Sequence, residues 1–263
     1  MQKYTIALTG KGGVGKTTLS SLIIKWLVTR GETPVLAVDA DSNANLDEAL
    51  GVSYTATVGG IREDALRIAK ELTGISKQEF LDLRVQEALV ECEGFDLIVM
   101  GRPEGPGCYC FANNVLRDVI RKLSDNYRHV VVDSEAGLEH LSRRTLLKVD
   151  LLCIVSDCSV RGVRTAGRIA QLTDDMGTPV ARKGLIINRV PGGELPQRLR
   201  EEALATGLPL LAVIPMDDQI AAIDADGRAI SQLAGDSAAS AALGEMLSKF
   251  MDSAVLSVDP ANP

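Results

Sequence analysis

Leu8-Thr9-Gly10-Lys11-Gly12-Gly13-Val14-Gly15-Lys16-Thr17-Thr18 is the stretch that decides the fold. It satisfies the phosphate-loop pattern G-x-x-x-x-G-K-[ST] through Gly10, Gly15, Lys16 and Thr17, a pattern that carries weight only between a strand and a helix. Both flanks are present. Tyr4-Thr-Ile-Ala-Leu8 is a short apolar, β-prone run, and Leu19, Leu22, Ile23, Trp26 and Leu27 recur at helical spacing from Thr18 to Arg30. Glycines let backbone amides turn inward around an anion, and the helix N-terminus adds partial positive charge. In such a loop Gly10, Gly12, Gly13, Val14, Gly15 and Thr18 supply backbone, Lys16 meets the β/γ-phosphates, and the Thr17 hydroxyl ligates Mg²⁺. The chain is therefore expected to bind a nucleoside triphosphate.

Lys11 stands where an ordinary phosphate loop leaves the residue free. G-K-G-G-V-G-K-T-T resembles the deviant loop of the ParA/MinD/nitrogenase-iron-protein ATPases. That resemblance implies a lysine reaching across a dimer interface to the partner's nucleotide. Phosphoryl transfer is catalysed largely by positioning and charge neutralisation, so a cation supplied in trans couples hydrolysis to dimerisation.

Apolar β-like runs at 4–9, 35–39, 96–101, 129–133, 151–156, 184–188 and 210–214 alternate with helical patterns. Several are continuous, such as Val130-Val-Val132 and Leu151-Leu-Cys-Ile-Val155, as parallel strands buried on both faces require. The expected fold is α/β: a doubly wound, mostly parallel sheet of about seven strands flanked by helices. Residues 61–92 read as a helical excursion. One domain is expected over 1–253, followed by a flexible tail at 254–263.

In an open α/β sheet ligands sit at the carboxyl ends of the strands. Strand 35–39 ends in Asp39-Ala-Asp41, and strand 129–133 ends in Asp133, followed by Gly137. By resemblance, Asp41 orients the attacking water, Asp39 and Asp133 hold Mg²⁺ directly or through water, and Gly137 senses the γ-phosphate. Relatives of the MinD kind read D-x-P-A-G here, whereas this chain reads Asp133-Ser-Glu-Ala-Gly137, with Glu135 in place of a turn-fixing proline. Asn188-Arg189 resembles the pair whose asparagine meets adenine, since an amide offers both a donor and an acceptor. Pro215 and Asp217 resemble the loop closing over the base. No N-K-x-D guanine signature is present, which favours ATP.

The stretch that separates this chain from its cousins is Gly101-Arg-Pro-Glu-Gly-Pro-Gly-Cys108-Tyr-Cys110. Two cysteines at i and i+2 in a Gly/Pro-rich loop can turn both sulfurs towards one ion, and soft or borderline ions such as Zn²⁺, Ni²⁺ or Cu⁺ prefer thiolates. Two ligands are a poor site; two copies related by a two-fold axis make a tetrathiolate. Together with Asp133-Ser-Glu-Ala-Gly-Leu-Glu-His-Leu-Ser-Arg-Arg-Thr145 and the deviant loop, this stretch resembles the CooC-type accessory ATPases of carbon monoxide dehydrogenase. The resemblance runs from Lys3 to about Asp217. It implies an Mg-dependent ATPase that dimerises with ATP, binds Ni²⁺ or Zn²⁺ through Cys108 and Cys110, and supports nickel insertion into carbon monoxide dehydrogenase. The accessory ATPases of acetyl-CoA synthase share these motifs, and the sequence does not separate the two.

Composition narrows the alternatives. The chain has 263 residues, 46% of them hydrophobic, and a net charge of -7. Acidity opposes nucleic-acid binding of the ParA kind. Residues 238–252 carry one lysine and no arginine, which opposes a basic membrane-seeking helix of the MinD kind. An electron-transfer iron–sulfur ATPase resembling the nitrogenase iron protein stays open, although its cysteines come from separate segments. Five cysteines, no apolar span and no export signal lead us to expect reduced thiols in the cytoplasm. His129 and His140 are read as structural.

Overall fold

In a computed structural model, residues 3–60, 84–102, 116, 118–134, 148–177, 179–233 and 237–256 are described. Eight strands form one sheet: β1 (Tyr4–Gly10), β2 (Val35–Ala40), β3 (Val90–Glu91), β4 (Phe95–Val99), β5 (His129–Ser134), β6 (Val149–Asp157), β7 (Val180–Val190) and β8 (Leu210–Pro215). Their spatial order is β3-β4-β2-β5-β1-β6-β7-β8. Every pair is parallel except β3–β4. The α/β reading therefore holds.

The strands are buried on both faces because helices cover both. On one side, α1 (Lys16–Thr29) and the C-terminal helix α6 (Ala238–Leu256) pack on Ile6, Leu8, Val131, Cys153 and Val155. On the other side, α3 (Val160–Asp175) and α4 (Gln197–Ala205) pack on Ala7, Val130, Val132, Leu152 and Ile154. Alternate residues of one strand thus serve opposite cores, as a period of two dictates. Two further short helices are α2 (Leu46–Leu50) after β2 and α5 (Asp218–Ala225) after β8.

The structure refines three expectations. The sheet has eight strands where about seven were expected. The extra one, β3, lies inside the run read as a helical excursion, of which 61–83 fall outside the described residues and 84–88 are helical. Two residues turn antiparallel against β4 through Gly94, whose φ is 85°, and so short a hairpin leaves no periodic signal. Strand β7 begins at Val180, four positions before the expected 184, because Arg182 and Lys183 interrupt the apolar run while still pairing with Leu151 and Leu152. The last helix continues past 253 to Leu256, and 257–263 lie outside the described residues.

His129 is structural among the described residues. It is fully buried at the start of β5, with Nε2 3.2 Å from the Glu32 carboxylate and its ring stacked on Tyr4. Burial holds its pKa below the usual imidazole value. His140 lies outside the described residues.

Candidate nucleotide site

The loop between β1 and α1 needs its glycines for stated reasons. A Cβ on Gly10 would lie 2.3 Å from the Val155 carbonyl oxygen of the neighbouring strand, so β1 and β6 approach this closely only without one. Gly15 caps α1 in the left-handed region at φ 91°, where a side chain is strained. No side chain caps this helix, so its first amides remain for an anion. Lys16 is 8% exposed, and its ammonium lies 3.4 Å from the Lys11 carbonyl oxygen. Lys11 itself is exposed.

A cavity of about 560 Å³ opens over this loop, lined by Gly12, Gly13, Gly15, Lys16, Thr17, Thr18 and Asp41 among others. Its volume falls in the range of small-molecule sites. A second cavity of about 410 Å³ adjoins it, lined by Leu19, Leu22, Asn188, Ile214, Pro215, Met216, Asp217 and Ile220. Thr18, Arg189 and Asp224 line both, so the two are halves of one cleft, one polar and one mostly apolar. Asn43 and Asn45 lie in the segment after Asp41 that resembles switch I, whereas Glu48, Asp224 and Arg228 were not singled out by the sequence reading. These three reach the cleft through tertiary packing, and no local motif marks them.

The acids sit at the strand ends as expected. Asp39 and Asp133 are register partners on β2 and β5. The Thr17 hydroxyl donates to Asp133 Oδ2 at 2.6 Å, while Asp133 Oδ1 is buried without a hydrogen-bond partner. Asp39 accepts the amides of Asp41 at 3.0 Å and Leu46 at 2.9 Å. Burial raises the Asp39 pKa to about 7, helped by the neighbouring Asp133 charge. Burial also raises Asp133 to about 6, against the lowering effects of the Thr17 hydroxyl, the Lys16 ammonium and the nearby Ser20 hydroxyl. A buried oxygen left without a partner is costly. A hard divalent cation takes oxygen donors, so the Thr17 hydroxyl and the Asp133 carboxylate fit Mg²⁺. Asp41 lies at the rim and accepts the Asn43 amide at 2.8 Å.

At the apolar end the polar groups already have protein partners. Asn188 donates from Nδ2 to the Val14 carbonyl at 2.9 Å and accepts the Arg189 amide at 2.9 Å. Asp217 caps α5 by accepting the Gln219 and Ile220 amides at 3.1 and 3.3 Å, and its other oxygen accepts the Ala239 amide of α6 at 2.9 Å. Pro215 ends β8, and Met216 beside it is exposed. Cys108, Cys110 and Gly137 lie outside the described residues. Among the described residues no cluster of three or more His, Cys, Asp or Glu is placed to hold a metal ion. No described helix is long and apolar enough to cross a membrane.

The profile of the CobQ/CobB/MinD/ParA nucleotide-binding domain (CbiA) matches residues 5–230. An uncharacterized ATP-binding protein of Methanocaldococcus jannaschii is 42% identical over 225 residues, covering 84% of this chain and 88% of that protein. The carbon monoxide dehydrogenase accessory protein CooC of Rhodospirillum rubrum is 34% identical over 238 residues, covering 84% and 87%. Among solved structures, the septum site-determining protein MinD of Pyrococcus horikoshii, complexed with Mg-ADP, superposes with a TM-score of 0.69 at 22% identity, covering 97% of this chain and 98% of that one. A ParA family ATPase of Chlorobium tepidum gives 0.71 at 22% identity, covering 94% and 98%. At those identities the structures speak for the fold alone. A phosphate loop with paired strand-end acids, together with a family match over most of the chain, leads to one conclusion: this protein is an ATPase of the CobQ/CobB/MinD/ParA nucleotide-binding family.

Proposed function

We propose that this ATPase is a metal-binding maturation factor that supports nickel insertion into the nickel–iron–sulfur cluster of carbon monoxide dehydrogenase, with acetyl-CoA synthase as the alternative target. One observation carries the reading. A Cys108-Tyr-Cys110 pair, absent from the general loop-and-acids pattern, occurs in a chain 34% identical to CooC over 84% of its length. Nickel is the cargo, and Zn²⁺ is an alternative occupant of the same thiolates.

In this reading the chain works as a cytoplasmic homodimer, each copy a single domain over 1–253. Lys16 neutralises the β/γ-phosphates, Lys11 acts on the partner's nucleotide, and Asp41 orients the attacking water. Thr17 holds Mg²⁺, with Asp133 and Asp39 contributing directly or through water, and Gly137 reports the γ-phosphate. The base rests in the apolar half of the cleft against Asn188, Arg189, Pro215 and Asp217. Mg²⁺ supplies charge compensation at the phosphates when bound. The chain's own contribution is to orient the triphosphate and the attacking water and to keep Asp133 Oδ1 aimed where a cation is needed. ATP and metal both require two chains, so each favours the dimer and, by linkage, each tightens the other.

The test is metal analysis of the purified dimer with and without ATP. About one Ni²⁺ or Zn²⁺ per dimer is expected, lost in Cys108→Ala or Cys110→Ala because two thiolates leave a tetrahedral set incomplete. ATPase activity should persist at least in part in those variants. One metal ion per monomer, or full binding by the double variant, would overturn the reading. Iron and sulfide with a brown colour would point instead to an electron-transfer iron–sulfur ATPase.

A further inference from the structure

Asn188 and Arg189 close β7 directly beside the phosphate loop, and between them they touch three consecutive loop residues. Arg189 Nη1 donates to the Gly13 carbonyl at 3.3 Å. Asn188 Nδ2 donates to the Val14 carbonyl at 2.9 Å. A Cβ on Gly15 would lie 2.5 Å from that same Nδ2, so the third residue is glycine partly because the Asn188 amide occupies the space. Asn188 is 5% exposed, and its carbonyl end accepts the Arg189 amide. Arg189 stands in the left-handed region at φ 57°, a conformation that L residues avoid unless their surroundings impose it.

A trans peptide unit points its C=O and N–H in opposite directions. Fixing the Gly13 carbonyl therefore fixes the Val14 amide, and fixing the Val14 carbonyl fixes the Gly15 amide. Amides must converge for a loop to bind phosphate. We propose that Asn188 and Arg189 form a clasp that holds the phosphate loop in its binding shape, making them positioning residues for the triphosphate, whatever contact Asn188 also makes with the base. The clasp concerns nucleotide binding and stands whether or not the thiols carry nickel.

A ligand without a base separates this role from base reading. Isothermal titration with Mg-tripolyphosphate, Mg-ATP and Mg-GTP should show Asn188→Ala weakening all three by a similar factor of about ten, as expected when a buried carbonyl loses its donor. KM for ATP and GTP should rise together. Arg189→Ala, at the more exposed arm, should weaken all three by roughly threefold, the scale of a single exposed hydrogen bond. It also serves if the asparagine variant does not fold, as judged by its melting curve. Unchanged tripolyphosphate affinity in the folded variants, with the loss confined to ATP, would overturn the clasp and leave Asn188 as a reader of adenine.

Discussion

The two halves of the cleft solve opposite problems. At the phosphate end, Asp39 and Asp133 face each other across adjacent strands with raised pKa values, and Asp133 Oδ1 is left without a partner. At the apolar end, Asn188 and Asp217 are each satisfied by backbone amides and carbonyls of the protein itself. The first half holds buried charge that the Thr17 hydroxyl, the Lys16 ammonium and two backbone amides compensate only in part. The second holds the architecture in shape before any ligand arrives. Strain at a site is a mark of function, whereas satisfied hydrogen bonding is a mark of support. Substitutions at the phosphate end should change chemistry while sparing or even raising stability. Those at the apolar end should lower stability or affinity without touching the chemical step.

The largest effect should come from Lys16→Ala. Removing a phosphate-facing cation should lower ATP turnover roughly 10³-fold, measured by phosphate release. A variant that retained turnover would remove the phosphate end from the comparison.

Asp133→Asn sharpens the contrast within one residue. Turnover should fall about 10²-fold or more, while the apo protein at pH 8 gains on the order of 2 kcal/mol, because a buried carboxylate is no longer forced to ionise. The sign follows from both acids having folded pKa values above their unfolded ones, about 7 for Asp39 and about 6 for Asp133. Stability they contribute is complete below the unfolded carboxylate value and is lost as pH rises through those values. His129, held low by burial, acts in the opposite direction at lower pH, so the clean window lies above about pH 6.5. The melting temperature of the apo wild type should fall between pH 6.5 and 8, and that of Asp133→Asn should fall less. Identical slopes would contradict the assignment of uncompensated charge to this end.

Much of this was legible beforehand, and unevenly so. The phosphate end could be read because Gly10 to Thr18 is contiguous and because strand-end acids follow from the fold rule. The clasp could not be read: Asn188 and Val14 are 174 positions apart, and nothing local says that Gly15 is small on account of Asn188. Asp217 was read as part of a loop over the base, yet its carboxylate joins α5 to α6, a tertiary fact. The same holds for β3, too short for a period, and for the start of β7, where Arg182 and Lys183 hid a strand.

Asp217→Ala should therefore cost about 2 kcal/mol of stability by uncapping two helix starts, read by denaturant unfolding, with the ratio of ATP to GTP affinity unchanged. A changed ratio without a stability loss would make it a base reader rather than a helix cap. The smallest effect is at Arg189. Both Arg189→Gly and Arg189→Ala lose the Gly13 contact, but glycine accepts φ 57° freely. The glycine variant should be the more stable of the two by about 1 kcal/mol, and equal stabilities would mean that the left-handed backbone relaxes.

The central claim is that nucleotide and metal act through one dimer, and it is tested most directly by the metal affinity of a hydrolysis-deficient Asp41→Ala variant. Equilibrium dialysis against Ni²⁺ or Zn²⁺, with and without ATP, should show tighter binding when ATP is present and about one ion per dimer, as four thiolates from two chains require. A metal affinity indifferent to ATP would contradict it, leaving a metal-binding ATPase whose hydrolysis has no hold on its cargo.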